Sequence, residues 1–329
     1  MKRLTAALAA MAAISATTLA PQAHAQDKYP SRALTWVVPF AAGGPTDAMA
    51  RNIANQVSQQ LGQSIVIENA PGAGGTIGAT KVARAEPDGY TFLVGHIGYM
   101  AAAPSLYDNL RYDPVKNFDA VFRFPDTPLV LLVGEGSKFK TVDELLAFAR
   151  ANPKALNFSN AGVGSTSHLV ASLFASQAGI QITPIAYKGA GPALNDLMGG
   201  QVDAMFDQTN TSLPQTRGGK VRALGLTSAQ PMPQFPGAPA IGAQAIPGFQ
   251  VSTWYGLYAP HGTPPQAIET LYAAYRKAMQ NQDFTRQMSD QGILLLADDD
   301  YAPQALQQHT RDEGARWAQV IKQAGISLQ

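Results

Sequence analysis

The sequence predicts an α/β protein built as two hinge-linked lobes, each a mostly parallel sheet flanked by helices. Three observations carry this expectation. Apolar runs rich in β-formers alternate with helix-period segments along most of the chain, the order that gives parallel strands joined by right-handed crossovers. Behind an N-terminal export signal, 304 residues remain, enough for two domains of ordinary size. The chain has no Cys and is 46% hydrophobic, so its stability comes from buried cores and not from disulfides.

The export signal is residues 1–25. Lys2 and Arg3 precede an Ala-rich apolar stretch that runs to Ala20, and Ala23-His24-Ala25 supplies a small-x-small cleavage site before Gln26. The stretch is too short and too Ala-rich for a good membrane span, which takes about 20 strongly apolar residues.

In the first unit Ala33 to Phe40 reads as a strand. It breaks at Ala41-Ala-Gly-Gly-Pro-Thr46, and Ala50, Ile53, Ala54, Val57 and Leu61 then recur at helical spacing behind Thr46 or Asp47 as N-cap. Ser64 to Glu68 is a second strand, Asn69 to Gly75 a Gly/Pro loop, Thr76 to Ala85 a helix and Tyr90 to Val94 a third strand. The second unit follows Phe118. Its strands are expected at 129–133, 156–159, 182–187, 204–206 and 221–227. Its helices are expected at 141–151, with Thr141 as cap and Glu144 three residues on, and at 168–178 and 192–198. Residues 230–248 form an irregular Pro/Gly/Ala connection. A strand at 249–258, a helix from Thr263 to about Gln280 with Pro264 at its first position, and a helix at 301–324 complete the chain.

Two strand-to-helix turns carry the candidate chemistry: Phe40 to Asp47, and Asn160-Ala-Gly-Val-Gly-Ser-Thr-Ser-His168. Each places unpaired backbone N–H groups at a helix start, where the helix dipole favours an anion and glycine lets a ligand come close. Ser165, Thr166 and Ser167 add hydroxyls. The same pattern also describes two ordinary βα turns with cap residues. His96, just past a strand end, is either a cleft residue or a plain loop residue. Asp207, at the end of another strand, either holds the second turn's hydroxyls, binds an ammonium or hydroxyl of a ligand, or closes the lobes, since a buried Asp needs partners. Trp254 and Tyr255 are either core or a ligand platform.

Several functions are disfavoured. Once Lys2 and Arg3 are removed, 22 basic and 23 acidic side chains leave a formal net charge of −1. There is no Lys/Arg-rich run, so nucleic acid is not an expected partner. Pro71 to Gly78 looks like a dinucleotide loop, but the next strand ends in Val94-Gly-His96 with no acid for a ribose hydroxyl. Gly164-Ser-Thr-Ser-His168 is not a nucleophile elbow. The histidines that remain after cleavage, 96, 168, 261 and 309, never pair at the i, i+4 spacing of a helical zinc site. No catalytic residue, metal or cofactor is expected.

The sequence resembles the Bug (TctC-like) family, the periplasmic receptors of tripartite tricarboxylate transporters. The resemblance rests on Pro30-Ser-Arg32, Val38 to Asp47 with Ala50-Arg51, Val66 to Gly75, Pro87-Asp-Gly-Tyr90, Ser105-Leu-Tyr107 with Tyr112-Asp-Pro114, Gly162 to Leu169, Tyr187 to Pro192 with Gly199 to Val202, and Trp254-Tyr-Gly256 with Ala259-Pro260. It implies a periplasmic-binding-protein fold of class II type. One lobe would comprise 26–125 plus 252–329, and the other 126–251. It implies a small carboxylate, a di- or tricarboxylate, an acidic amino acid or an aromatic acid, held between lobes by Ala41, Gly43, Gly44, Thr46, Ser165, Thr166 and Ser167 with ordered waters, and without a dedicated Arg. Asp207 would lie at the pocket, and His96, Tyr99 and Phe124 are candidates for selectivity. The expected form is a monomer that hands its ligand to the large and small membrane subunits of a transporter. The alternatives are an exported hydrolase of a carboxylated substrate and a ligand-sensing receptor feeding a two-component system.

Overall fold

The computed structural model describes residues 29–327; the export signal and its cleavage site lie outside them. The first half opens with β1 (Leu34–Val38), α1 (Pro45–Leu61), β2 (Ile65–Asn69), α2 (Thr76–Ala83) and β3 (Thr91–His96). A π-helical turn at Gly98–Ala102, the short α3 (Ala103–Leu106) and β4 (Phe118–Arg123) follow. The chain then enters a second sheet through β5 (Thr127–Gly134), α4 (Val142–Ala151), β6 (Asn157–Asn160), α5 (Thr166–Ala178), β7 (Thr183–Ala186), α6 (Ala190–Met198), β8 (Ala204–Gln208), α7 (Thr209–Arg217), β9 (Val221–Leu226), α8 (Ile241–Gln244) and β10 (Ser252–Thr253). It returns through β11 (Tyr255–Pro260), α9 (Pro265–Met279), α10 (Gln282–Asp290) and α11 (Pro303–Ala324).

The first sheet has the order β2-β1-β3-β11-β4, and the second β10-β5-β8-β6-β7 with β9 on β5. The two sheets with flanking helices give the two-lobed α/β fold, but neither is mostly parallel. β1 pairs parallel with β2 and β3, and β6 with β7 and β8. β11 runs antiparallel to β3 and β4, and β5 antiparallel to β8, β9 and β10. The handedness rule constrains strands joined by a helix inside one lobe. β5 and β11 are reached instead by crossing from one sheet to the other, so the strand-helix order leaves their direction open.

Period-2 alternation sorts the strands into cores. Leu34, Trp36 and Val38 of β1 face one cluster, with Met49, Ile53 and Val57 of α1 and Leu271 and Tyr275 of α9. Val37 and Leu93 face another, which continues through Leu129, Leu131, Phe158 and Phe174 of the second half and takes in Leu306 and Trp317 of α11. Val130 and Leu132 turn to the opposite face of the second sheet, against Ala193, Leu197 and Leu213. α11 thus packs into a core that both sheets share.

Several boundaries differ from the sequence reading. Helix α1 is capped by Gly44, with Pro45 at its first position, not by Thr46 or Asp47. Helix α5 begins at Thr166 behind Ser165, two residues before His168. The N-cap of α9 is Pro264, and Pro265 takes the first helical position. Thr141 does cap α4 by accepting from the Glu144 N–H at 3.1 Å. Among the described residues, no helix is long and apolar enough to cross a membrane.

Candidate functional site

The two turns singled out in the sequence meet across the gap between the sheets. They share one narrow cleft. From the first half it is lined by Phe40, Ala41, Gly44, Pro45, Thr46 and His96. From the second come Ser165, Thr166, Ser167, Gly189, Asp207 and Gln208, among others. The lining contains no Lys or Arg.

The first turn is set by Asp47, in the first turn of α1 and almost fully buried. Its carboxylate accepts from the Gly43 N–H, the Arg51 Nε and the Asn69 Nδ2, each at 2.9 Å. Asn69 in turn donates to the Phe40 carbonyl at 3.0 Å. Burial alone would raise the Asp47 pKa, but the donors from Arg51, Gly43 and Asn69 outweigh it and hold the carboxyl below its ordinary value. Gly43 adopts φ +81° to make this turn, and its amide is spent on Asp47. The N–H groups that α1 leaves for a ligand are those of its first turn, which lie beyond the reach of any intrahelical carbonyl.

The second turn is held by its own polar side chains. Asn160 Oδ1 accepts from the Gly162 N–H at 3.0 Å, and Ser167 Oγ from the Ala161 N–H at 2.9 Å. Ser165 Oγ caps α5 by accepting from the His168 N–H and lies 3.1 Å from Ser167 Oγ. One of these two serines donates to the other, so one serine proton remains for the cleft.

His96 joins the halves. Its Nδ1 accepts from the Gly98 N–H at 3.0 Å, and its Nε2 lies 2.7 Å from Thr166 Oγ1. An amide N–H can only donate, so the proton of the neutral ring sits on Nε2 and points at Thr166. Thr166 Oγ1 accepts it, which frees its own proton for the cleft. Phe40, Tyr99 and Tyr255 surround the imidazole at ring-centroid distances of 5.2, 5.4 and 5.5 Å. Burial in that box drives its pKa down to about 3, so the ring stays neutral at ordinary pH.

Asp207, at the C-terminal end of β8, is also buried. Its Oδ2 accepts from Thr211 Oγ1 at 2.7 Å. Burial dominates and pushes its pKa up to about 6. It does not hold the hydroxyls of the second turn. Below it, the Tyr255 hydroxyl donates to the Gln208 side chain.

Two helix starts that the sequence reading did not assign to the site also reach the cleft. Gly189 is the N-cap of α6 and Gln208 the N-cap of α7, and both line it. With Gly44 and Ser165, the N-caps of four helices border one cavity. Neither new cap has a side-chain capping bond to announce it.

Other candidates lie elsewhere. Phe124 is core, stacked with Phe122 and near Tyr275. Tyr99 is fully buried behind His96 with its hydroxyl on the Val94 carbonyl. Trp254 is core, its indole N–H on Glu313 Oε2 at 3.1 Å. The Pro71–Gly78 loop meets the second half at Gly74, where a Cβ would lie 2.4 Å from the Val163 carbonyl oxygen, and packs on its own half at Gly75, where a Cβ would lie 2.3 Å from the Tyr99 ring. Among the described residues, no group of three or more His, Cys, Asp or Glu is placed to hold a metal.

Comparison with known proteins agrees with this geometry. The family model described as "Tripartite tricarboxylate transporter family receptor" matches residues 49–326. Protein BugT of Bordetella pertussis is 34% identical over 304 residues, covering 92% of each chain. MatC of Rhodopseudomonas palustris, solved with bound malate, is 39% identical with a TM-score of 0.85, over 89% of this chain and 100% of that one. A second R. palustris protein, solved with adipate, is 35% identical with a TM-score of 0.86, over 91% and 99%.

Proposed function

We propose, from the premise that this chain belongs to the tripartite tricarboxylate transporter receptor family, that it is a periplasmic solute-binding protein which captures a small carboxylate between its lobes and delivers it to a membrane transporter. One observation supports the reading above the rest: the N-caps of α1, α5 and α6 border a cleft that has no Lys or Arg in its lining. First-turn amides and aligned peptide dipoles offset a negative charge without a basic side chain. The malate and adipate held by the two R. palustris relatives make small dicarboxylic acids the first ligands to test.

In this reading the ligand carboxylate docks on the first-turn amides of α1 and α5, with the Thr166 proton and one serine proton as further donors. Ala41, Gly44, Thr46, Ser165, Thr166 and Ser167 form the seat. Gly43 acts by shaping the turn, with its amide committed to Asp47. Ligand and the His96–Thr166 bond both favour the closed arrangement, so binding is a population shift from open to closed. The closed form meets the large and small membrane subunits as a monomer. Residues 1–25 are removed on export.

The hydrolase alternative requires a base beside the nucleophile. The one hydroxyl–imidazole pair at the cleft is Thr166–His96. There Nε2 already carries the proton, and burial holds the ring far below a useful basicity. The test is calorimetry of the mature protein with malate, adipate and related acids, with product analysis alongside. Stoichiometric binding without turnover is expected. Turnover, or no response to any carboxylate, contradicts the reading.

A further inference from the structure

Resting on the carboxylate-receptor reading, we infer that Asp207 selects within the ligand class: the cleft is built for a carboxylate that also carries a hydrogen-bond donor, a hydroxyl or an ammonium, placed to meet the Asp207 carboxyl.

The donors and acceptors of the cleft are unevenly divided. Its positive ends are the first-turn amides and dipoles of the helices that begin at Pro45, Thr166 and Ala190. The hydroxyl protons of Thr166 and of one serine point the same way, toward an acceptor. α7 differs, because its start is already occupied by an acid of its own. Asp207 immediately precedes the Gln208 N-cap and takes the Thr211 Oγ1 proton from within the first turn of that helix. That hydrogen bond leaves an ionised carboxylate with acceptor capacity to spare.

No cation answers that carboxyl. Its residue is 2% exposed, and neither Lys nor Arg lines the cavity it faces. Tyr255 donates to the Gln208 side chain, and His96 directs its only proton at Thr166. A ligand consisting only of carboxylate and methylene groups would therefore bring fresh negative charge into a small cavity beside an uncompensated acid, and would offer that acid nothing. A hydroxyl or an ammonium on the ligand reverses the sign of this contact. The molecule best matched to the cleft has its acid end at the amides of α1, α5 and α6 and its donor at Asp207.

Calorimetry with acids of matched length tests this: succinate, L-malate and L-aspartate, and the corresponding five-carbon trio of glutarate, 2-hydroxyglutarate and L-glutamate. Wild-type protein should bind a hydroxy or amino acid at least tenfold more tightly than the unsubstituted acid of the same length. Asp207→Leu should erase that ratio while leaving the unsubstituted acid bound as well as before or better. Asp207→Asn distinguishes the donors, because its amide oxygen still accepts from a hydroxyl but has no charge for an ammonium. If the unsubstituted acids bind wild-type protein as tightly as their substituted partners, the inference is overturned while the receptor reading stands. Equal weakening of all ligands by Asp207→Leu also overturns it. If no carboxylate binds, neither those of the two trios nor adipate, citrate or an aromatic acid, the receptor reading fails and takes the inference with it. The wild-type ratio is independent of whether the variants fold.

Discussion

Replacing Thr166 by Val keeps the shape of the side chain and removes its hydroxyl. Two things are lost. The His96 Nε2–H, 2.7 Å from that oxygen and inside a box of Phe40, Tyr99 and Tyr255, has no other acceptor there. An orphaned buried donor costs about 1–3 kcal/mol. Because His96 and Thr166 belong to opposite halves, that cost falls on the closed state and not on an open one in which water reaches the ring. The seat also loses a hydroxyl donor, and a hydrogen bond to a charged group is worth about 1.5–3 kcal/mol. Without assuming that the two add fully, roughly 3 kcal/mol of binding is at stake, or about 100-fold in Kd. Titration calorimetry with the best-bound dicarboxylate reads this directly. Thr166→Ser, which keeps the hydroxyl, should stay within a few-fold of wild type. If Thr166→Val binds within twofold of wild type, the proton accounting at His96 is wrong and the bond does not contribute to closure.

Three further outcomes follow from the same geometry. A Cβ on Gly98 would stand 2.5 Å from the Gly164 carbonyl oxygen across the gap, so Gly98→Ala should weaken ligand binding at least tenfold while the melting temperature of the free protein moves little; equal affinity would show that the halves need not approach this closely. His96 titrates below its free value and Asp207 above, so the unfolded chain takes up the histidine proton first and the folded chain the aspartate proton first. Between about pH 6 and pH 4, acidification therefore removes stability at His96 and adds it at Asp207, each by up to about 1.4 kcal/mol per pH unit. Urea unfolding should show Asp207→Asn losing about 1.5 kcal/mol more than wild type on going from pH 6 to pH 4.5, and His96→Gln losing less than wild type; identical slopes for all three would refute both assignments. Finally, Glu313 Oε2 accepts the indole N–H of both Trp254 and Trp317 at 3.1 Å, so Glu313→Ala should cost about 2–6 kcal/mol by chemical denaturation, from two stranded donors, and a loss below ~1 kcal/mol would contradict that role.

The cleft was legible in the sequence to the extent that its makers are local. Glycines and hydroxyl residues after a strand mark a strand-to-helix turn, and both such turns line the cavity. His96 and Asp207 were found because strand ends face the same edge. What escaped was set by contacts distant in sequence. α7 reads Thr-Asn-Thr-Ser-Leu-Pro-Gln-Thr-Arg, with little apolar period and Pro214 inside it. No pattern rule marks it as a helix, so the cap at Gln208 went unseen. Gly189 begins α6 without a polar cap, and its place in the cleft depends on where β7 sits in the sheet. The strand directions of β5 and β11 follow from two crossings between sheets, which leave no local trace. Phe124 is a selectivity candidate only through the family resemblance, and a stack with Phe122 and contact with Tyr275 claim its ring for the core. The opposite error occurred at Gly43, where the glycine was read as room for a ligand and the structure gives its amide to Asp47.

Amide-detected NMR during a ligand titration tests the shared seat most directly. With malate or a tighter relative added stepwise, the backbone N–H signals of Thr46 from one half and of Thr166 and Ser167 from the other should all move, and all should fit one dissociation constant. Movement confined to one half, or signals at these positions that stay still while the ligand binds, would contradict a carboxylate held between the two.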